Sequence, residues 1–147
     1  IIFCAPVWCF HAPGQRKSFL DHYGYRWLVH RPNFDMANKQ AVIITTAGGG
    51  GMKSAVKDIK DSMDYWGVAR THTVTQSVWG TFWNDMPEKF KKTFLKKLDK
   101  TASKVMKHAK NLNPSFKVKR LYAMFKFLHL SGKMWKIDNE YWKENCK

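Results

Sequence analysis

Two short, uninterrupted apolar runs constrain this chain more than any other feature. Ile1, Ile2, Phe3 and Cys4 lead into Ala5 and the breaker Pro6, while Ala41, Val42, Ile43, Ile44, Thr45 and Thr46 lead through Ala47 into Gly48, Gly49, Gly50 and Gly51. Apolar runs this short, with no alternation, predict strands buried on both faces of a parallel sheet. Such strands need helices above and below, and the remaining sequence supplies them. Between residues 13 and 30, Phe19, Leu20, Tyr23, Trp27 and Leu28 recur at helical spacing, although Gly24 weakens the middle. Met52, Val56, Ile59, Met63 and Trp66 line one face of a second helix, with Lys53, Lys57, Asp58, Lys60, Asp61 and Asp64 opposite and Gly67 closing its end.

Residues 71–79 alternate threonine and serine with His72, Val74, Gln76 and Val78, the pattern of a half-exposed strand near a sheet edge. Pro87 and Glu88 open a third helix, in which Phe90, Phe94, Leu98, Ala102, Val105 and Ala109 step by three and four until Asn113 and Pro114. Strand, helix, strand, glycine loop, helix, strand, helix is a repeated βαβ pattern, which predicts a doubly wound α/β domain with a parallel sheet over residues 1–113. A helical extension follows over residues 114–147. In it Leu121, Tyr122, Met124, Phe125, Phe127 and Leu128 are apolar nearly all round, so something must cover them, and a protein interface outside this segment is the expected cover. The tail after Asp138, with Tyr141 and Trp142, reads as a docked end.

A chain of 147 residues with 44% hydrophobic and 15% aromatic content has enough apolar material for one real core. Opening in the middle of an apolar strand leads to the expectation of upstream sequence, because such a strand needs neighbours for its backbone groups. The formal net charge of +15 draws polyanions, phosphorylated cofactors included, but its spread along amphipathic helices also suits simple solubility. The lysine-rich helix over residues 88–110 makes a basic nucleic-acid-binding or interaction module the alternative reading. Three cysteines without regular spacing argue against a disulfide framework, and the cytoplasm is the expected compartment. No apolar stretch is long enough to predict a membrane span.

In open parallel sheets, ligands bind beyond the carboxyl ends of the strands. Two strand ends here carry unusual residues. Pro6 fixes a turn after which Val7, Trp8, Cys9, Phe10 and His11 follow, and an aromatic just past such a turn offers a flat face to a planar ring. At the second, Thr46 and Ala47 lead into Gly48, Gly49, Gly50 and Gly51, whose bare backbone brings N–H groups close to a ligand. The glycine spacing matches neither a P-loop nor a dinucleotide fingerprint, so contact with a planar cofactor or its substrate is the better expectation. Neither G-x-S-x-G nor H-E-x-x-H occurs, which disfavours hydrolases of those types. Cys4, Cys9 and His11 have no common zinc spacing; no metal is expected, and Cys4 reads as a buried strand residue. His22, His30, His72, His108 and His129 are scattered and read as surface or satisfied core residues.

The stretch IIFCAPVWCFHAPGQRKSFLDHYG resembles the third-strand motif of the flavodoxin-like NADPH-dependent FMN reductase and NAD(P)H:quinone oxidoreductase family. There a strand ends in a Ser/Ala-Pro-x-aromatic turn and the next helix carries Lys and Asp; Pro6, Trp8, Lys17 and Asp21 stand at those positions. VIITTAGGGGMKS resembles the family's fourth strand and glycine loop, and DNEYWKEN resembles a C-terminal signature of a clostridial-type branch, so the likeness reaches nearly the whole chain. The resemblance implies a flavodoxin-like fold whose first strands and Ser/Thr-rich phosphate loop are missing from this sequence, and Trp8 stands where Tyr is usual. It implies an FMN-dependent enzyme that takes electrons from NAD(P)H and passes them to a quinone, flavin or similar small-molecule acceptor, commonly as a homodimer. The cofactor-binding residues it implies are Pro6, Val7, Trp8, Cys9, Phe10, His11, Thr46, Ala47, Gly48 and Gly49. Trp8 and Phe10 would serve as ring walls, with His11 as the candidate catalytic neighbour of the substrate.

Overall fold

Three parallel strands, β1 (Ile2–Pro6), β2 (Gln40–Ala47) and β3 (Arg70–Ser77), lie in the order β1-β2-β3. The computed structural model describes residues 1–80, 82–109 and 111–146. Register pairs Phe3 with Ile43 and Ile43 with Thr73, so odd-numbered residues of all three strands share one face. On that face Phe3, Ala5, Ala41 and Ile43 pack with Leu20 of α1 (Gly14–His22) and with Ile59 and Met63 of α2 (Met52–Tyr65). Ile43, Ile59 and Met63 are fully buried, each burial contributing roughly 1.5–3 kcal/mol. Gly67, with φ +80°, ends α2 as expected: its N–H donates to Asp64 O, and Val68 N–H donates to Met63 O at 3.0 Å.

Among the described residues the even-numbered face is covered over β3 and the start of β2, by α3 (Glu88–Ala109), so β2 is buried on its odd-numbered face and only half-buried at Val42 and Ile44, not buried on both faces as its run predicts. Lys97 Nζ donates to Gln76 Oε1 at 2.7 Å, and Gln40 Nε2 donates to Val105 O at 3.0 Å. No described residue of α3 is fully buried. Lys110, the last residue of the expected lysine-rich stretch, and Lys147 of the tail lie outside the described residues.

Three further expectations need correction. β1 is not buried on both faces: Phe3 and Ala5 are buried, while Ile2 (70% exposed), Cys4 and Pro6 are exposed. The reason is that α3 stops short of β1 on the even face and no described strand pairs with its outer edge. The first helix ends at His22 rather than His30. Gly24 opens a short 3-10 turn instead, Leu28 N–H donates to Tyr65 O, and Leu28 is drawn into the core at the end of α2. Finally, the apolar segment after Pro114 finds much of its cover within the chain.

That segment forms α4 (Phe116–Leu130), and α5 (Lys136–Asn145) follows. Leu121 and Phe125 pack with Leu28 and with Trp142, which is fully buried. Trp142 Nε1 donates to His30 O at 2.8 Å and Tyr141 OH to Pro32 O at 2.7 Å, which seats the tail as expected. Asp138 accepts from His30 Nδ1 at 3.0 Å. Lys117 reaches Asp64 at 2.7 Å and ties α4 to α2; that hydrogen bond, despite some burial, raises the Lys117 pKa. Met124 and Phe127 remain outside this cover. No described helix is long and apolar enough to cross a membrane.

Ile59→Ala, which empties the centre of the α2 and sheet contact, is expected to lower stability by about 2–5 kcal/mol in urea unfolding; a loss below about 1 kcal/mol contradicts this packing. His72, between β3 and α3, has its pKa held below the ordinary 6.5 by burial first and then by the charges of His108, Lys104 and Arg70. The unfolded state therefore binds more protons just below pH 6.5, so stability falls as pH drops through that value and levels off below the folded pKa. Unfolding followed from about pH 7.5 to about pH 5 should show this slope, reduced in His72→Gln.

Candidate functional site

Beyond Pro6 the chain doubles back over Trp8, Cys9, Phe10 and His11. Trp8 N–H donates to His11 O at 2.9 Å, and His11 N–H returns the bond to Trp8 O at 2.9 Å. Cys9 has φ +47° and Phe10 φ +65°, so both central residues of this tight turn are left-handed. Without glycine each costs roughly 1–2 kcal/mol, and the conformation persists only where neighbours impose it.

The neighbours are identifiable. Val7 N–H donates to Thr46 O at 3.0 Å, which fastens the turn's entrance to the end of β2. Its exit is fastened to α2: one carboxylate oxygen of Asp58 accepts from Ala12 N–H at 3.1 Å and from His11 Nδ1 at 3.0 Å. Between these anchors sits the glycine loop. A Cβ on Gly51 would lie 2.6 Å from Phe10 Cα and 2.7 Å from Val7 Cγ1, and Gly51 itself has φ +86°. One on Gly50 would lie 3.4 Å from the Phe10 ring. Glycine at 51 is therefore required twice, by its backbone angle and by the approach of the turn.

Gly48 and Gly49 serve differently. A Cβ on Gly48 would meet only Val78 O at 3.7 Å, one on Gly49 would meet nothing within 4 Å, and both residues are exposed. Among the described residues the N–H groups of Gly48, Gly49 and Gly50 donate to no protein acceptor. The result is a ledge of free backbone donors, bare of side chains, beside the turn that carries Trp8. Trp8 is 61% exposed and Phe10 69% exposed. Free amides along an open ledge suit the carbonyl and ring-nitrogen acceptors at the edge of a planar ring, and an exposed indole suits its face.

The structure thus brings Pro6, Val7, Trp8, Cys9, Phe10 and His11 next to Thr46, Ala47, Gly48 and Gly49 at the carboxyl end of the sheet. Phe10 also serves as packing for Gly50 and Gly51, and His11 is held by Asp58. Asp58 appears in the sequence only as one of several charges on the polar face of α2. Sequence reasoning also missed the third strand end. Val78 N–H donates to Ala47 O at 2.8 Å, and beyond it Trp79, Phe82 and Trp83 are exposed, Trp79 by 83%. Trp79 lies past the end of β3 rather than within it. The signal available was a strand ending against Gly80 amid aromatics.

Gly51→Ala should lower stability by about 2 kcal/mol or more, because both the backbone angle and the Phe10 contact oppose a side chain. Asp58→Ala should cost about 1 kcal/mol by leaving Ala12 N–H and His11 without their acceptor. Urea unfolding of both variants measures this, and a neutral Gly51→Ala contradicts the close approach.

Residues 1–84, which span all three strands and the three strand-end loops, match the family described as NADPH-dependent FMN reductase. The match ends before α3, so the likeness of the tail DNEYWKEN to a family signature lies outside it. No curated protein matches the chain. With more than half its length matched, the chain belongs to the NADPH-dependent FMN reductase family of oxidoreductases, which use FMN as flavin cofactor and NADPH as electron donor.

Proposed function

We propose that this protein is an FMN-dependent NAD(P)H oxidoreductase whose flavin lies against the ends of β1 and β2 and whose electrons pass to a quinone, flavin or similar small acceptor. The observation that carries this reading is the ledge of unpaired N–H groups at Gly48, Gly49 and Gly50 beside the exposed Trp8. When bound, FMN supplies the two-electron redox chemistry itself, accepting hydride from the nicotinamide and releasing electrons to the acceptor.

The chain's own residues bind and orient. Trp8 offers its face to the ring, and Phe10 forms the second wall while keeping the glycine loop in place. Backbone groups of Val7, Cys9, Thr46, Ala47, Gly48 and Gly49 meet the polar edge of the ring, and Pro6 sets where the turn begins. His11 stands at the substrate side with its Nδ1–H donating to Asp58, which leaves Nε2 as the ring atom available to a substrate. The protein acts as a cytoplasmic homodimer, with Met124 and Phe127 of α4 in the contact.

The test is cofactor uptake by the purified protein. It should purify yellow or take up added FMN, quenching flavin fluorescence, and NADPH should bleach the flavin band under anaerobic conditions. Trp8→Ala should weaken FMN binding about tenfold, the scale of one lost stacking face. A folded protein that takes up no FMN contradicts the proposal.

A further inference from the structure

Opposite the strand-end loops, where β3 begins, a second cluster of functional side chains converges. Arg70 and His72 of β3, Lys104, Lys107 and His108 of α3, and Ser115 at the start of α4 line an open cavity of about 460 Å³. It contains no carboxylate, and among the described residues none of Arg70, Lys104 and Lys107 is paired with an acidic side chain. Arg70 is half-buried at the cavity wall, and its Nε has no hydrogen-bond partner among the described residues. Uncompensated cations on a concave surface are a state that an anion relieves.

The two histidines of the cluster are held in place. Gln40 Nε2 donates to Val105 O at 3.0 Å, which turns its Oε1 toward His72 Nε2, also at 3.0 Å. His108 Nδ1 donates to Lys104 O at 2.7 Å, and the two imidazole rings lie 5.7 Å apart. Ser115 caps α4, accepting from Val118 N–H, so the positive end of that helix dipole adds to the field. The depressed pKa of His72, to which His108, Lys104 and Arg70 contribute after burial, reports the same unbalanced positive potential.

We propose that this cavity binds the diphosphate group of a small phosphorylated molecule, with Arg70, Lys104 and Lys107 as its charged ligands. Three cations exceed what a single phosphate needs, and the volume falls within the range of small-molecule sites. The concave shape and the half-buried Arg70 favour a compact ligand over a nucleic acid, which would engage the outward lysines of α3. At roughly 3.3 Å per residue, the eight residues of β3 place this cavity about 23 Å from the strand-end loops. A ligand there sits apart from the redox chemistry, so the site stands whether or not FMN binds as proposed.

Calorimetric titration of the complete protein with inorganic pyrophosphate and, separately, with ADP tests this. Saturable binding of pyrophosphate is expected, weakened at least about tenfold in Lys104→Gln/Lys107→Gln and less than about twofold in Lys92→Gln/Lys96→Gln, whose lysines lie on α3 outside the cavity. ADP binding more tightly than pyrophosphate identifies a nucleotide as the ligand class; equal affinity identifies the diphosphate alone. Lys104 and Lys107 are exposed, so the fold tolerates their replacement, and ring-proton shifts of His72 and His108 on titration give an independent readout. Absence of saturable binding, equal weakening in both double variants, or displacement by a single-stranded oligonucleotide whose binding depends on Lys92 and Lys96 overturns the proposal.

Discussion

The missing side chain at Gly51 is the constraint on which the site depends. Because nothing projects from Gly51, the amino end of α2 comes against Val7 and Phe10, and the turn after β1 is pressed into a conformation its own residues disfavour. Asp58, about two turns into the same helix, then locks the exit of that turn through His11 and Ala12. One helix thus fixes two loops at once: it starts where the glycine loop ends and holds the turn from its flank. Strain in Cys9 and Phe10 is balanced by anchors whose cores lie in the sheet, so the loops inherit the rigidity of Ile43, Ile59 and Met63 beneath them.

The two ends of the sheet have opposite chemistry. At the carboxyl end the chain presents neutral donors and aromatic faces, with Trp8, Phe10 and Trp79 exposed around glycine backbone. At the amino end of β3 it presents concentrated positive charge. The net charge of +15 is therefore not only a solvated surface, since part of it is gathered where no acid answers it. Charge along the outer faces of α3 belongs to the ordinary solvated kind, and the halves of this charge are separated by whether the side chain faces the sheet.

Much of this was legible in the residues. The period of α2 and the alternation of β3 each determined an element and its depth, because each pattern answers to neighbours that the chain itself provides; the apolar run of β2 determined a strand but overstated its depth, since Val42 and Ile44 are only half-buried. β1 misled because its run reads as two-sided burial, and burial on the second face depends on packing that no described residue supplies. The helix ending at His22 misled because Leu28 and Trp27 keep helical spacing while being buried by a different path, against Tyr65 and the end of α2. Proline, tryptophan and four glycines marked the two strand-end loops that the structure sets side by side. The turn geometry was hidden, since Cys9 and Phe10 are not residues that favour left-handed angles, and Asp58 was hidden because a carboxylate on a polar helix face looks the same whether it meets water or an amide. The cationic cavity was illegible for a simpler reason: Arg70, Lys104 and Ser115 are far apart in sequence and meet only through the packing of α3 and α4.

On the proposed function, the free amides of the glycine loop and the turn after β1 form one flavin-facing surface. Backbone amide resonances of the isotopically labelled complete protein, followed during titration with FMN, test it most directly. Gly48, Gly49, Gly50 and the residues from Val7 to His11 are expected to shift together with one saturation curve, while Arg70 and His72 at the far end of β3 stay unmoved. Shifts that leave the glycine loop untouched, or that follow different curves for the two loops, would contradict it.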